Sequence, residues 1–409
     1  MVKAALPSPL AHGAVGDGVA DDTAAVGAAL AAGGTVGLLG QSYLIRQPLA
    51  VPAGTQLVGP GALIIDFDGY NQGTANTALH LLGDGIRLRD FALVKRFAEG
   101  SWAIGIGGEN LHDLRLDHLE ISGYSAGQGI CLKQCQGVQV ESLWIHNFSL
   151  NWLRNLTTRP VAGLMLLGCD DALVRNSRFD HLELGPEVRA LAPSGTPQGY
   201  ASAGIYLADC RGIVMLGNTF AVLGCGIMAV DSQNCVMNAN ALRDTWGAAI
   251  SLLRSSFNCV LGNQISTCGQ GIRVAGSDAT APLTAASAQT SNGNAIKANQ
   301  LLDIGAAGYF GIAGNARVGV GAAGAIIQQK GHAYNLVDDH VLARGSADPN
   351  VLVSITADGA TLNSQANDNL AVGEGVAPFE PAPLPPAAPN PPTTAISIKN
   401  QVRHWTLFE

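Results

Sequence analysis

The chain has 409 residues, 47% of them hydrophobic and only 13% charged, and its formal net charge is −8 with no Lys/Arg cluster. That balance argues against a nucleic-acid partner held by counterion release, and no apolar run reaches the roughly 18 residues that a membrane-spanning helix needs. The 51 glycines follow no Gly-x-y period, which excludes collagen, and regular Val/Ile/Leu alternation argues against disorder, so the composition points to an all-β class with glycine at tight corners.

Residues 1–65 read as an N-terminal entry and capping module. Residues 1–12 lack the regions of a secretory signal, which leaves the compartment open. Gly13-Ala14-Val15-Gly16-Asp17-Gly18-Val19-Ala20-Asp21-Asp22-Thr23 supplies a glycine-rich turn and then a helix start, with Asp17, Asp21 and Asp22 as turn and cap residues. A short helix over Ala24 to Ala32 follows and ends at Gly33-Gly34. Thr35 to Leu39, Tyr43 to Ile45, Thr55 to Val58 and Leu63 to Ile65 are strand-like.

From 66 to 370 the chain repeats. Val174-Arg175-Asn176, Leu216-Gly217-Asn218, Ala239-Asn240, Leu261-Gly262-Asn263 and Ala298-Asn299 recur with a step of roughly 22 to 24 residues, alongside strands such as Gly204-Ile205-Tyr206-Leu207, Gly226-Ile227-Met228-Ala229 and Gly271-Ile272-Arg273-Val274. Short apolar alternations at that period, without an amphipathic helix between them, predict a solenoid of stacked β-coils, and the N-terminal helix would plug its open end. Asn176, Asn218, Asn240, Asn263 and Asn299 are expected at one corner as an asparagine ladder, each residue tolerating a left-handed backbone. Cys135, Cys169 and Cys210 are expected in one column, continued by Ser232, Ser255 and Ser277, with Cys235 and Cys259 in another. Stacked small residues account for these cysteines without a disulfide or a metal site.

Extra residues at 147–162 and 181–203 precede the Gly-Ile-x-x strand of their coils, and those at 277–292 follow it. Long loops are cheap in stability and often carry function, so the face they flank is the expected cleft. Residues 371–394 form a Pro-rich linker, and 395–409 a strand-like tail with Trp405 and Phe408.

Cleaving a glycan needs one acid to protonate the leaving oxygen and a second carboxylate to activate water or attack carbon. Stacked coils supply such a pair, because equivalent residues of successive coils lie one strand spacing apart, about 4.8 Å. Alignment of the coils places Asp209, Asp231 and Arg254 in one column, the expected catalytic group. Repulsion between the two carboxylates would raise the pKa of one, while Arg254 keeps the other ionised.

Tyr206 and Arg273 fall on the outward side of the same strand layer, and Lys133 lies two or three coils earlier. The long loops add Trp152, Arg154, Glu183, Glu187 and Tyr200 as substrate-binding candidates, and Asp244 and Trp246 precede the Arg254 strand as groove-wall candidates. His146 and His181 occupy corresponding stretches and are expected to stack at a corner. The aspartates of Gly168-Cys169-Asp170-Asp171 fall at an ordinary corner between coils.

The segment His12-Gly13-Ala14-Val15-Gly16-Asp17-Gly18-Val19-Ala20-Asp21-Asp22-Thr23-Ala24-Ala25-Val26, with the later Gly33-Gly34-Thr35-Val36 and Tyr43-Leu44-Ile45, resembles the entry module of the pectate-lyase-like superfamily. That group of right-handed, single-stranded parallel β-helices includes polygalacturonase-like hydrolases, polysaccharide lyases and phage tailspike depolymerases. The resemblance implies a polysaccharide partner, usually cleaved, a homotrimer in the phage cases, and an extracellular or virion-associated setting. The Asn-Thr-Asp, Gly-His-Gly and Arg-Ile-Lys signatures of the polygalacturonases are missing, as is the Tyr-Gly-x-Asp-Pro-His signature of the alginate epimerases. The leading expectation is a glycoside hydrolase with paired aspartates and no cofactor or metal. The alternatives are a lyase acting on uronate-containing glycan through Arg254, Arg273 or Lys133, commonly with Ca²⁺, and a non-catalytic glycan-binding adhesin or structural spike.

Overall fold

The computed structural model describes residues 6–67, 77–96, 102–123, 126–149, 161–183, 202–245, 247–268, 270–275, 291–302, 324–328, 332–333, 336–342, 351–355, 365–372 and 397–402. Two compact units, Met1–Val188 and Arg189–Glu409, are both built from parallel β-helix coils of one longer strand followed by two short ones.

In the first unit the longer strands Thr77–Leu81, Trp102–Glu109, Ala126–Lys133 and Val161–Leu167 pair in parallel, placing Leu79, Ile106, Ile130 and Leu164 in one line. The short strands Glu120–Ser122, Trp144–Ser149 and Arg178–Glu183 pair with one another in the same way. In the second unit Ser202–Ala208, Cys225–Val230, Ala248–Leu253 and Gln270–Ala275 stack with Ile205, Ile227, Ile250 and Ile272 in register. All eight of those aliphatic residues are fully enclosed, so the core is a set of apolar columns, each side chain packing on its equivalent one coil away. The glycines of the Gly-Ile-x-x strands serve this packing. A Cβ on Gly204 would come within 2.5 Å of the Phe220 ring, and one on Gly226 within 2.3 Å of Leu242.

Register is fixed by side chains buried at the corners. Asn240 Oδ1 accepts from both the backbone N–H and the Nδ2 of Asn218, at 2.9 and 3.0 Å, while Asn240 Nδ2 donates to Asn263 Oδ1 and to the Met215 carbonyl. Asn263 repeats the pattern on Asn299. The left-handed residue at each of these corners is the one before the asparagine: Gly217, Ala239, Gly262 and Ala298. Asn176 is itself left-handed, with φ 52°. It therefore stands one place before the inward position, which Ser177 fills by accepting from the Leu143 N–H.

The small-residue columns also differ in part from expectation. Cys210 is followed by Ser232 and Ser255, each backbone N–H donating to the next hydroxyl, but the next member is Ser291. The sequence alignment misses this because the 36-residue step from Ser255 is longer than the usual coil. Cys235 stacks on Asn258 and Asn294, a second asparagine ladder, whereas Cys259 pairs with Val236 and Ala295. His146 pairs with Asp180, and His181 lies one residue further along at a left-handed position, so the two imidazoles are not equivalent.

The predicted helix forms as Thr23–Ala31 and packs Val26, Ala29 and Leu30 against strands Ser42–Ile45 and Leu49–Val51, covering apolar ends of the first coils. Asp22 sits at its N-cap position without capping it. Its buried carboxylate instead accepts the N–H groups of Val15 and Gly16, at 2.7 and 3.0 Å, and ties the glycine-rich turn to the helix start. Asp17 and Asp21 make local turns, and hydrogen bonds, to the Ala20 and Val19 amides for Asp17 and to Thr23 for Asp21, hold both carboxyls below the usual range. The C-terminal tail contributes strand Ser397–Val402, which pairs in parallel with Gln365–Val372.

Replacing Asn240 by alanine removes the buried hydrogen bonds that its side chain makes to Asn218, Met215 and Asn263, for an expected loss of about 3 kcal/mol. Gln233→Ala, on the exposed side of the neighbouring corner, is expected to stay within about 0.5 kcal/mol. Urea unfolding of the two variants measures the difference.

Candidate functional site

The strand register of the second unit brings the expected column together. Ala208 stands on Val230 and Val230 on Leu253, so the next residues, Asp209, Asp231 and Arg254, follow one another from coil to coil. All three take the left-handed backbone, with φ of 54°, 50° and 49°. The Asp209 N–H donates to the Val230 carbonyl and the Asp231 N–H to the Leu253 carbonyl, which continues the ladder around the corner.

An aspartate tolerates that conformation, whereas for arginine it costs roughly 1–2 kcal/mol. The Arg254 side chain offsets the cost by gripping Asp231 with two parallel hydrogen bonds, Nε to Oδ1 and Nη2 to Oδ2, both 2.7 Å. Fork-to-fork geometry fixes the carboxylate in position as well as in charge. Asp209 is exposed, and its carboxylate takes no hydrogen bond from a described residue. The column therefore holds one clamped and one open carboxylate.

Tyr206 points outward three residues before Asp209. Burial pushes its phenol above the ordinary value; nearby, Arg254 opposes that rise while Asp231 and Asp209 add to it. Its hydroxyl is thus a neutral donor within the electrostatic reach of all three column members. Along the strands the Tyr206 position continues through Met228, Ser251 and Arg273. Arg273 is only 2% exposed, so this predicted contact residue is enclosed. Ser251, which sequence reasoning passed over, has a buried hydroxyl with no hydrogen-bond partner among the described residues. Nothing in a lone serine within an apolar strand signals this before the register is known.

Asp244 lies at a left-handed position in strand Ala241–Thr245 and accepts from Arg243 Nη1 at 2.9 Å. Lys133 belongs to the first unit, where it ends strand Ala126–Lys133, exposed and level with Glu109 and Leu167. Glu183 ends strand Arg178–Glu183, level with Ser149. Trp152, Arg154, Glu187, Tyr200 and Trp246 lie outside the described residues. Asp170 and Asp171 occupy a corner, as expected, where Asp171 accepts from Gln136.

Residues 102–288 match the family model described as "Right handed beta helix region". Among solved structures, the surface protein and adhesin PfbA of Streptococcus pneumoniae superposes with a TM-score of 0.62 at 11% identity, covering 98% of this chain and 97% of its own. The Dettilon tailspike protein gives 0.61 at 15% identity, over 96% of this chain and 68% of its own. DFA-IIIase from Arthrobacter chlorophenolicus A6 gives 0.63 at 12% identity, over 88% and 93%. No curated protein matches the sequence. The chain has the fold of these proteins, the right-handed parallel β-helix.

The opposing influences on Tyr206 give the column a spectroscopic reporter. Arg254→Met is expected to raise the Tyr206 titration midpoint and Asp209→Asn to lower it, read by NMR of ring-labelled tyrosine in each variant; equal midpoints would contradict the described geometry.

Proposed function

We propose that the chain binds a polysaccharide and cleaves it as a glycoside hydrolase, with Asp209 and Asp231 as the acid pair and Arg254 as the group that holds Asp231. The observation that carries this reading is the Asp209–Asp231–Arg254 column at one corner of three successive coils, with Asp231 gripped in bidentate fashion and Asp209 open. In this scheme Asp209 protonates the leaving glycosidic oxygen. Asp231, held in place by the guanidinium, attacks the anomeric carbon or activates water. Tyr206, a neutral phenol beside both, donates a hydrogen bond to the sugar.

The register roots the two carboxylates one coil apart, about 4.8 Å between backbones, within reach of one glycosidic bond, and the scheme calls for no metal ion. A lyase is less well supported, because Arg254 is committed to Asp231 and Arg273 is enclosed. A homotrimer, which the superfamily resemblance implies for phage proteins, contributes nothing to the argument.

The second reading is a glycan-binding protein without catalysis, favoured by the fold likeness to a protein described as a surface adhesin. Digestion of a panel of capsular and plant polysaccharides separates the two. Hydrolysis predicts new reducing ends without unsaturated sugars, reduced on the order of 100-fold or more in Asp209→Asn and in Asp231→Asn. Binding without any new ends would leave the adhesin reading.

A further inference from the structure

A cluster of interlinked polar, aromatic and titratable side chains lies in the first unit, on the outward side of three successive short strands. Its outer column is Glu120, Trp144 and Arg178, each directly level with the next. Its inner column, two residues further along the same strands, is Ser122, His146 and Asp180, all three buried.

Each exposed group is held by a buried one. His146 Nε2 lies 3.1 Å from Glu120 Oε1, and its ring stacks on the Trp144 indole at 3.8 Å between centroids with planes 16° apart. Asp180 Oδ2 accepts from Trp144 Nε1 at 3.3 Å and from Arg178 Nε. Its other oxygen lies 3.2 Å from Nδ1 of His181, and its side chain is 4% exposed. The Arg178 guanidinium carbon lies 5.5 Å from the centroid of the Trp144 ring. A Ser–His–Asp order in the inner column suggests a nucleophilic triad, but the hydrogen bonds run to the outer column instead of from serine to histidine to aspartate.

We propose that Glu120, Trp144 and Arg178 form a second carbohydrate-binding surface, distinct from the aspartate column, that takes a run of neutral sugar units lying across the coils. A neutral sugar offers vicinal hydroxyls, which pair with planar polar groups, and an apolar C–H face, which packs on an aromatic ring. The outer column presents a fixed acceptor, an indole that is 40% exposed and braced by His146 and Arg178 so that its uncovered part meets the sugar, and a fixed donor, in that order. The coil spacing of about 4.8 Å is comparable to the length of one pyranose unit, so successive sugars meet successive coils. Because the inner column already orders the three side chains, little rotamer freedom is lost when the ligand docks. Arg178 is already paired with Asp180 and stands in line with the Glu120 carboxylate, which favours a neutral glycan over an anionic one.

The proposal rests on the reading that the protein binds polysaccharide, but it depends on no residue of the proposed catalytic column. Affinity electrophoresis of the full chain through gels containing β-glucan, galactomannan, xylan, alginate or polygalacturonate tests it. Wild type is expected to be retarded by at least one neutral polymer, and Asp209→Asn/Asp231→Asn, although it loses hydrolysis and any grip that the aspartate column adds, is expected to remain retarded by the same polymer. Trp144→Ala and Glu120→Gln are each expected to weaken that retardation about tenfold, equivalent to roughly 1.4 kcal/mol. Glu120→Gln removes an exposed charge and so guards against misfolding of the tryptophan variant, with thermal melts checking both. Retardation only by the two acidic polymers, retardation unchanged in both single variants, or no retardation by any neutral polymer would overturn the proposal.

Discussion

Every spatial relationship that matters here depends on the register between coils, which is enforced by buried polar side chains at the corners. A β-coil turns sharply three times, and each turn leaves backbone N–H groups that no strand can satisfy. In the second unit Asn240, Asn263 and Asn299, then Asn258 and Asn294, then Ser232, Ser255 and Ser291, each accept the N–H of the equivalent residue one coil away. A slip of one residue would unmake these bonds and turn the apolar columns outward, so the ladders and the core select the same alignment.

Once register is fixed, chemistry follows from the period. Asp231 and Arg254 are 23 residues apart yet share two hydrogen bonds, and Glu120, Trp144 and Arg178 form a line although irregular lengths of chain separate them. A solenoid of this kind needs no special loop to bring two carboxylates together; it needs them at the same place in successive coils. The cost falls on the backbone, because the column sits where the chain is left-handed. The bidentate grip of Arg254 shows how a side-chain contact can compensate for that conformation.

Much of this was legible in the sequence, for a physical reason: the coil period survives wherever coils are short and uninterrupted. Between 204 and 275 the Gly-Ile-x-x strands repeat cleanly, and there the sequence alignment and the strand register agree that Asp209, Asp231 and Arg254 are equivalent positions of successive coils. It failed where the period is broken or where two small polar residues adjoin. The long coil after Ser255 hides Ser291, Asn176 stands one place before the inward position that Ser177 fills, and Cys235 stacks on Asn258 and not on Cys259. The Glu120–Trp144–Arg178 line was invisible because its steps are 24 and 34 residues, the second enlarged by an insertion. Asp22 has the type and position of a helix cap; only the fold reveals that the glycine-rich turn comes back to it.

The central claim is that Asp209 and Asp231 act together on one glycosidic bond. The most direct measurement is a double-mutant comparison of kcat/KM on whichever polysaccharide yields reducing ends. Residues that act as a unit are strongly non-additive, so Asp209→Asn/Asp231→Asn should be within a few-fold of either single variant. Losses that multiply, or activity that survives in the double variant, would contradict the account.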